Sequence, residues 1–491
     1  MATPAVAPLH NFDDTPLWKA FILYYVFVFD SVLDPEHLKN SLELLARRDG
    51  WKKFGARLRK NANGNLEYHF PETTDTEKSP RVVSYTHVTH STATAEHPIA
   101  CHIPNQAIGR PSVVADPDRL EGLFRPDGAP TKITDYLNKD IPQMGLHVVS
   151  FLDKTLVTVY FPHTLMDGMS MAPFLEAWIL ALQGRASEIK CPIGAEDCTH
   201  ELSNDPLAAF GVKPTAKHVL ENHQMSIVGL TGWALRNIRS FFDDLENRMV
   251  CVPASVVARL RQEAIIASAA HCKAEGGPPF LSDGDILCSW WTRIVLTSAG
   301  VSHNSNKTIV LNNAYSLRKI LLDSQRNSEK VQDTETATDQ DSFYVSNVTA
   351  FFSVVLTAGE ILQQPLHRTA IAFRDALDMQ RTRPQAEAFL STWRRSWGKI
   401  PPIFGNWKMD LITYSNWTRA NLFDFDFSAA VLGAGEKQRP VRPVYVQNNQ
   451  FGLKLPNAFP IIGKDRSGNY WLSGYLKKGQ WGRIEDQLAN L

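Results

Sequence analysis

A histidine and an aspartate four residues apart, His163-Thr-Leu-Met-Asp167-Gly168, close the apolar run LVTVYF that begins at Leu156. An imidazole with its ordinary pKa of about 6.5 accepts an alcohol proton near neutrality when its ring is held in one tautomer within hydrogen-bond reach. His163 is therefore the candidate general base. Asp167 has two readings, orienting His163 directly or fixing the turn by pairing with a distant cation, and the spacing does not separate them. Gly168 would let the backbone turn sharply into the next element. The same spacing recurs at His10 and Asp14, but that copy lies in a polar N-terminal segment with no apolar strand before it and no glycine after it. The plainer alternative for the motif is a surface histidine at a strand end, with Asp167 as a local cap.

Other chemistries find less support. No G-x-S-x-G occurs, and Gly168-Met-Ser170-Met-Ala172 lacks the second glycine of a serine hydrolase's nucleophile elbow. The six cysteines, Cys101, Cys191, Cys198, Cys251, Cys272 and Cys288, form no C-x-x-C pair and no Cys/His spacing suited to zinc. They read as reduced core thiols, and no metal is expected. Lys plus Arg and Asp plus Glu both number 51, with no basic stretch interleaved with aromatics, which argues against nucleic acid as a partner.

The elements that must position the motif are set by hydrophobic periodicity. His147–Phe161 reads as two β-rich runs around a short turn, and Met171–Leu182 as a helix with Phe174, Leu175, Trp178, Ile179 and Leu182 on one face. The motif thus occupies a turn between strand and helix. Upstream, AFILYYVFVF (20–29) is half the length of a membrane span and reads as a buried strand. Pro35–Arg48 is a helix capped by Asp34, and GARLRKNANGNLEYHF a hairpin turning at Asn61–Gly64. Glu72–Pro80 reads as an exposed loop. Val250–Val252 is a strand, and Pro253–Ala270 and Asp283–Thr297 are helices. Asp323–Ser342 is nearly free of apolar residues and reads as a mobile loop or disordered insertion.

With 491 residues, 44% hydrophobic and 21% charged, the chain is long enough for two cores. The expected architecture is α/β, with helices packed on mixed sheets in two similar-sized domains: 1–190 carrying the motif, 191–230 as a crossover, and 231–491. The N-terminus lacks the basic start and apolar centre of a signal peptide, so a cytoplasmic monomer is expected.

Over nearly its whole length the chain resembles the BAHD acyltransferases, especially the fungal branch that includes trichothecene 3-O-acetyltransferase. HLKNSLELL with the hairpin after it is similar to the family's first helix and hairpin, and HTLMDG to its catalytic motif. LSDGDILCSWWTRI resembles the helix on the coenzyme A side. NNAYSLR and YVSNV resemble the strand with a structural arginine and the segment after it, and TYSNWTRANLFDFDF the stretch ending in Asp-Phe-Gly-Trp-Gly. Here that ending is Asp426-Phe427-Ser-Ala-Ala, and Pro162 stands where some members of the wider superfamily carry a second histidine.

The resemblance implies two chloramphenicol-acetyltransferase-like domains with the active-site channel between them. It also implies transfer of an acyl group, acetyl above all, from acyl-CoA as co-substrate to a hydroxyl of a hydrophobic secondary metabolite. His163 would be the base, Asp167 would turn away to pair with Arg318, and Gly168 would keep the channel open. Trp417 and Ser415 would contact the reacting carbonyl and the acceptor, Ser282 and Arg259 the coenzyme phosphates. Asp426 and Phe427 would be structural. Two other readings are a condensation-type enzyme using a carrier-bound acyl donor, against which Pro162 and the C-terminal stretch count, and an inactive binding protein of the same fold.

Overall fold

The segment Phe21–Phe29 (β2) is buried at every position, as a strand covered on both faces must be. In the computed structural model, which describes residues 5–71, 80–104, 109–193, 207, 210, 214–238, 243–271, 280–329, 343–433 and 439–491, it lies inside a five-stranded sheet. The strand order is β13 (Tyr445–Gly452), β2, β8 (Thr155–Pro162), β7 (Gly145–Ser150), β5 (Ser84–Thr89). A seven-stranded sheet runs β11 (Thr349–Thr357), β10 (Thr308–Ser316), β12 (Asp410–Asn416), β14 (Ala458–Lys464), β15 (Tyr470–Lys477), β9 (Leu245–Val252), β6 (Ser112–Ala115). Both sheets are mixed: β5 pairs with β7, and β10 with β12, in parallel, whereas β2–β8 and β10–β11 are antiparallel. A small third sheet contains β1 (Val6–Pro8), β4 (Leu66–His69) and β3 (Arg57–Lys60); β3 and β4 form the expected hairpin, with Gly64 at φ +81° in its turn.

The two large sheets exchange strands. β6 comes from the N-terminal half yet edges the seven-stranded sheet, and β13 comes from the C-terminal half yet pairs with β2 from Tyr445–Val28 to Gly452–Phe21.

Helices cover the sheets where the sequence places them. Pro35–Arg47 begins at Asp34, whose carboxylate accepts from the Glu36 and His37 amides, with Pro35 in the first turn. It packs on Met171–Leu182, where Trp178 Nε1 donates to Ser41 Oγ at 2.9 Å. Ala254–His271 and Asp283–Ser298 are the two helices of the second half.

Two expectations need revision. The polar stretch from Asp323 is not all loop: the helix Arg318–Glu329 starts in the apolar run that packs Leu321 into the core and continues into the polar residues, and 330–342 lie outside the described residues. Residues 72–79 also lie outside them. The helix Ile227–Asn237 begins within the span 191–230 read as the crossover. Of the cysteines, Cys251 and Cys288 are buried but Cys101 and Cys191 are exposed; Cys198 and Cys272 lie outside the described residues.

Candidate active site

His163 sits one residue past β8, and the ladder with β2 continues to it: its amide donates to the Phe21 carbonyl at 3.0 Å. Its own carbonyl accepts from Asn347 Nδ2 at 2.8 Å. The ring is stacked on Trp18, with centroids 4.2 Å apart and planes at 26°. Among the described residues, its buried Nδ1 meets no hydrogen-bond partner. Burial pushes the imidazole below its ordinary pKa; the nearby main-chain carbonyl of His163, the Asp167 carboxylate and Asn347 pull the other way without reversing it. A neutral ring is the form a general base requires.

Asp167 points elsewhere. Its Oδ1 accepts from Ser170 N (3.0 Å), Ser170 Oγ (3.1 Å) and Arg318 Nη2 (2.8 Å). Its Oδ2 accepts from Arg318 Nη1 (3.0 Å), Val348 N (3.0 Å) and Thr349 Oγ1 (2.9 Å). Both oxygens are saturated, and neither is bonded to His163. Burial would raise the carboxyl's pKa, but the Arg318 charge and these donors hold it below the usual range. Arg318 also donates to the Tyr344 and Ser346 carbonyls, at 3.2 and 2.9 Å. Since Arg318 follows β10 while Val348 and Thr349 lead into β11, the carboxylate ties the turn after β8 to the edge of the other large sheet.

Gly168 is required for a different reason from the one its residue type suggests. Its φ is not in the left-handed region; instead, an added Cβ would stand 2.8 Å from Cε2 and Nε1 of Trp417. The glycine admits an indole ring against the turn. Trp417 is buried, just past β12, and its Nε1 donates to Ser415 Oγ at 2.8 Å. The two residues expected to face the substrate are therefore bonded to each other. Accepting from the indole leaves the Ser415 proton available to a third group.

The coenzyme-side residues are placed less centrally. Ser282 caps the Asp283–Ser298 helix in a reciprocal box with Asp285, its Oγ donating to Asp285 Oδ2 at 2.8 Å. Arg259 is exposed on the preceding helix. Asp426 Oδ1 accepts from the Ser428 and Val441 amides, each at 2.9 Å, and Phe427 is fully buried against Phe29 and Trp178. The loop is thus anchored by these two residues without the glycines and tryptophan of the family pattern. Among the described residues no cluster of His, Cys, Asp and Glu could hold a metal ion, and no helix is long and apolar enough to cross a membrane.

Sequence reasoning passed over the support beneath His163. His10 and Asp14, set aside because they lie in a polar N-terminal segment, are buried, as is Asp13. Asp13 Oδ1 accepts from Asn347 N (2.9 Å) and Nδ2 (2.7 Å), so the amide that holds the His163 carbonyl is itself held by Asp13. Lys53 is buried and donates to the carbonyls of Leu165 and Val345. Trp18 belongs to the short helix Pro16–Lys19, capped by Thr15. The Thr15-Pro16 pair was a readable helix start; that Trp18 meets His163 was not, because that contact is tertiary.

The fold, two mixed sheets with an imidazole on a strand-end turn and its aspartate diverted to an arginine, is that of two-domain acyltransferases of the chloramphenicol-acetyltransferase-like kind. A crystal structure of Fusarium sporotrichioides TRI101 complexed with coenzyme A and T-2 superposes with a TM-score of 0.65 at 14% identity, covering 98% of this chain and 97% of that one. Acetyltransferase adrJ of Penicillium rubens is 32% identical over 99% of this chain and 96% of its own. The chain belongs to the fungal branch of the BAHD-type coenzyme A-dependent acyltransferases, and it is an enzyme of that class. Transcriptional regulator calD of Penicillium decumbens is also similar, 37% identical over 99% of this chain and 95% of its own. That name describes calD; in this chain the His163 turn is intact and the charge balanced. No family model matches the sequence.

Proposed function

We propose that the enzyme transfers an acyl group, acetyl by preference, from acyl-CoA to a hydroxyl of a hydrophobic secondary metabolite in a single ternary complex. The observation that carries this reading is a half-buried His163 with its Nδ1 enclosed, held at its amide, carbonyl and ring face, with Asp167 fully engaged elsewhere and, among the described residues, no nucleophile bonded to the imidazole. With Nδ1 enclosed, Nε2 is the nitrogen left to meet the acceptor. It takes the hydroxyl proton as the oxygen attacks the thioester carbonyl. The tetrahedral oxyanion is met by the Ser415 hydroxyl, polarised by Trp417. The C–S bond then breaks, and the imidazolium returns its proton to the departing thiolate. The names of two relatives, acetyltransferase adrJ and O-acetyltransferase PaAT-2, support the acyl preference, and a TRI101 structure with coenzyme A and deoxynivalenol supports an alcohol acceptor.

Ser282 and Arg259 are assigned to the coenzyme side, at a helix N-terminus and on the exposed face of the helix before it. We divide the chain into halves at 1–190 and 231–491, with 191–230 as the crossover and β6 and β13 as the exchanged strands. The test is a panel of hydrophobic alcohols with acetyl-CoA, read by free-thiol release and by intact mass after acetyl-CoA alone. Thiol release that needs the alcohol, with no enzyme adduct, is expected; a chemically competent acetyl-enzyme would overturn the single-complex mechanism.

A further inference from the structure

The helix Ile227–Asn237 is amphipathic the wrong way out. Leu230 and Trp233 turn inward, packing on a small core of Met225, Val310 and Met409, whereas Ile227, Val228 and Leu235 are 66%, 82% and 63% exposed, with Ile238 after them at 48%. At helical spacing Ile227, Thr231, Ala234, Leu235 and Ile238 form one outward stripe. A second segment carries Trp397, Trp407 and Ile400, which are 80%, 50% and 38% exposed, and its end at 403–408 lies beside the helix. The two are joined by the bonds Met225 N to Ile403 O (2.9 Å) and Gly405 N to His223 O (2.7 Å), by Arg236 donating to the Lys408 carbonyl, and by Trp407 lying against Gly232. Seven large apolar side chains thus stand in solvent on two adjoining segments, a concentration that monomeric surfaces rarely leave uncovered.

Charge identifies what covers it. Residues 217–238 and 395–408 carry Lys217, Arg236, Arg395, Lys399 and Lys408 against the single acid Glu221, in a chain whose net charge is zero. A cleft of about 620 Å³ beside Trp407 is lined by Arg236, Lys307 and Lys408, of which Lys307 is ion-paired with Asp410. Lys408 Nζ lies over the Trp407 ring, 5.0 Å from its centre. An apolar stripe with indoles at its edge and cations around it matches the boundary between acyl chains and anionic headgroups.

We propose that this face docks the enzyme peripherally on an anionic membrane surface, the helix Ile227–Asn237 lying in the interface and the cleft beside Trp407 receiving lipid headgroup phosphate. The proposal is independent of which alcohol is acylated.

The test is co-sedimentation of the full-length enzyme with vesicles of phosphatidylcholine alone and of phosphatidylcholine mixed with phosphatidylserine. Binding to the anionic vesicles, weakening as salt rises, is expected. Val228→Ser with Leu235→Ser should lower partitioning roughly tenfold or more, and Lys399→Gln with Lys408→Gln should flatten the salt dependence. All four positions are on the surface, so an unchanged thermal transition is the folding control. Absence of binding, or binding indifferent to both pairs, overturns the proposal. So does a wild-type dimer, seen by analytical ultracentrifugation without lipid, that the Val228/Leu235 pair dissolves, because the face would then be a contact between copies of the chain.

Discussion

Replacing Asp167 with alanine removes an acceptor that takes six hydrogen bonds, four of them from Arg318 and Ser170, and leaves Arg318 with only neutral partners. The two side chains are 5% and 15% exposed, so the stranded guanidinium stays largely out of water. Breaking one side of such a buried pair costs about 3–5 kcal/mol, a large share of the roughly 5–15 kcal/mol that holds an ordinary domain together. Urea unfolding followed by fluorescence should show a markedly earlier midpoint for Asp167→Ala. Arg318→Met should be similarly damaging, and the double variant less so than the two singles combined, because the charge left behind by either change is then gone. The pH dependence follows from the depressed carboxyl: its contribution is full above the unfolded value of about 4 and is lost only as pH falls through the lower folded value. The stability gap between wild type and Asp167→Asn should therefore be flat from about pH 5 to 8 and close only in stronger acid. If Asp167→Ala unfolds like wild type yet loses turnover as fully as His163→Ala, the carboxylate acts on the imidazole and the reasoning fails.

Three further outcomes are expected. His163→Ala should unfold like wild type while kcat drops by about 10²- to 10⁴-fold, and the acid limb of wild-type activity should lie below the ordinary histidine value of about 6.5, since burial keeps the ring neutral to lower pH; a limb above that value would contradict the burial argument. Trp18→Ala uncovers one ring face, so kcat should fall and the acid limb move upward toward the ordinary value; an unchanged kcat and pH profile would show the stacking to be incidental. Gly168→Ala sets a methyl 2.8 Å from the Trp417 indole and should displace it from Ser415, cutting kcat by roughly tenfold or more and, as an overpacked site, lowering stability by about 1–3 kcal/mol, read as an earlier unfolding midpoint. Wild-type turnover would remove Trp417 from the mechanism.

What was legible in the sequence was what is local. The strand before His163, the helix after it and the Asp34 cap come from periodicity and composition, and each is where those signals put it. The partner of Asp167 was not readable from spacing, because Arg318 is 151 residues away, and it came only from the family resemblance. The support under His163 was illegible for the same reason. Asp13, Lys53 and Asn347 are polar residues whose types suggest solvent, and only the tertiary fold buries them together. Gly168 is a subtler case: its residue type suggested backbone freedom and the resemblance an open channel, while its close neighbour is the indole of a residue about 250 positions later in the chain, which no window of sequence contains.

The exchange of β13 into the sheet of β2 bears on how the chain is made. β2 is complete once residue 29 leaves the ribosome, but its partner on one side, Tyr445–Gly452, is synthesised more than 400 residues later; the bond from Asn448 Nδ2 to the Tyr24 carbonyl spans 424 positions. Until then FILYYVFVF, the most apolar strand in the protein, has one edge open to any other nascent chain. Translation of β8 supplies one neighbour for β2, but the five-stranded sheet lacks its β13 edge until residue 452 has been made.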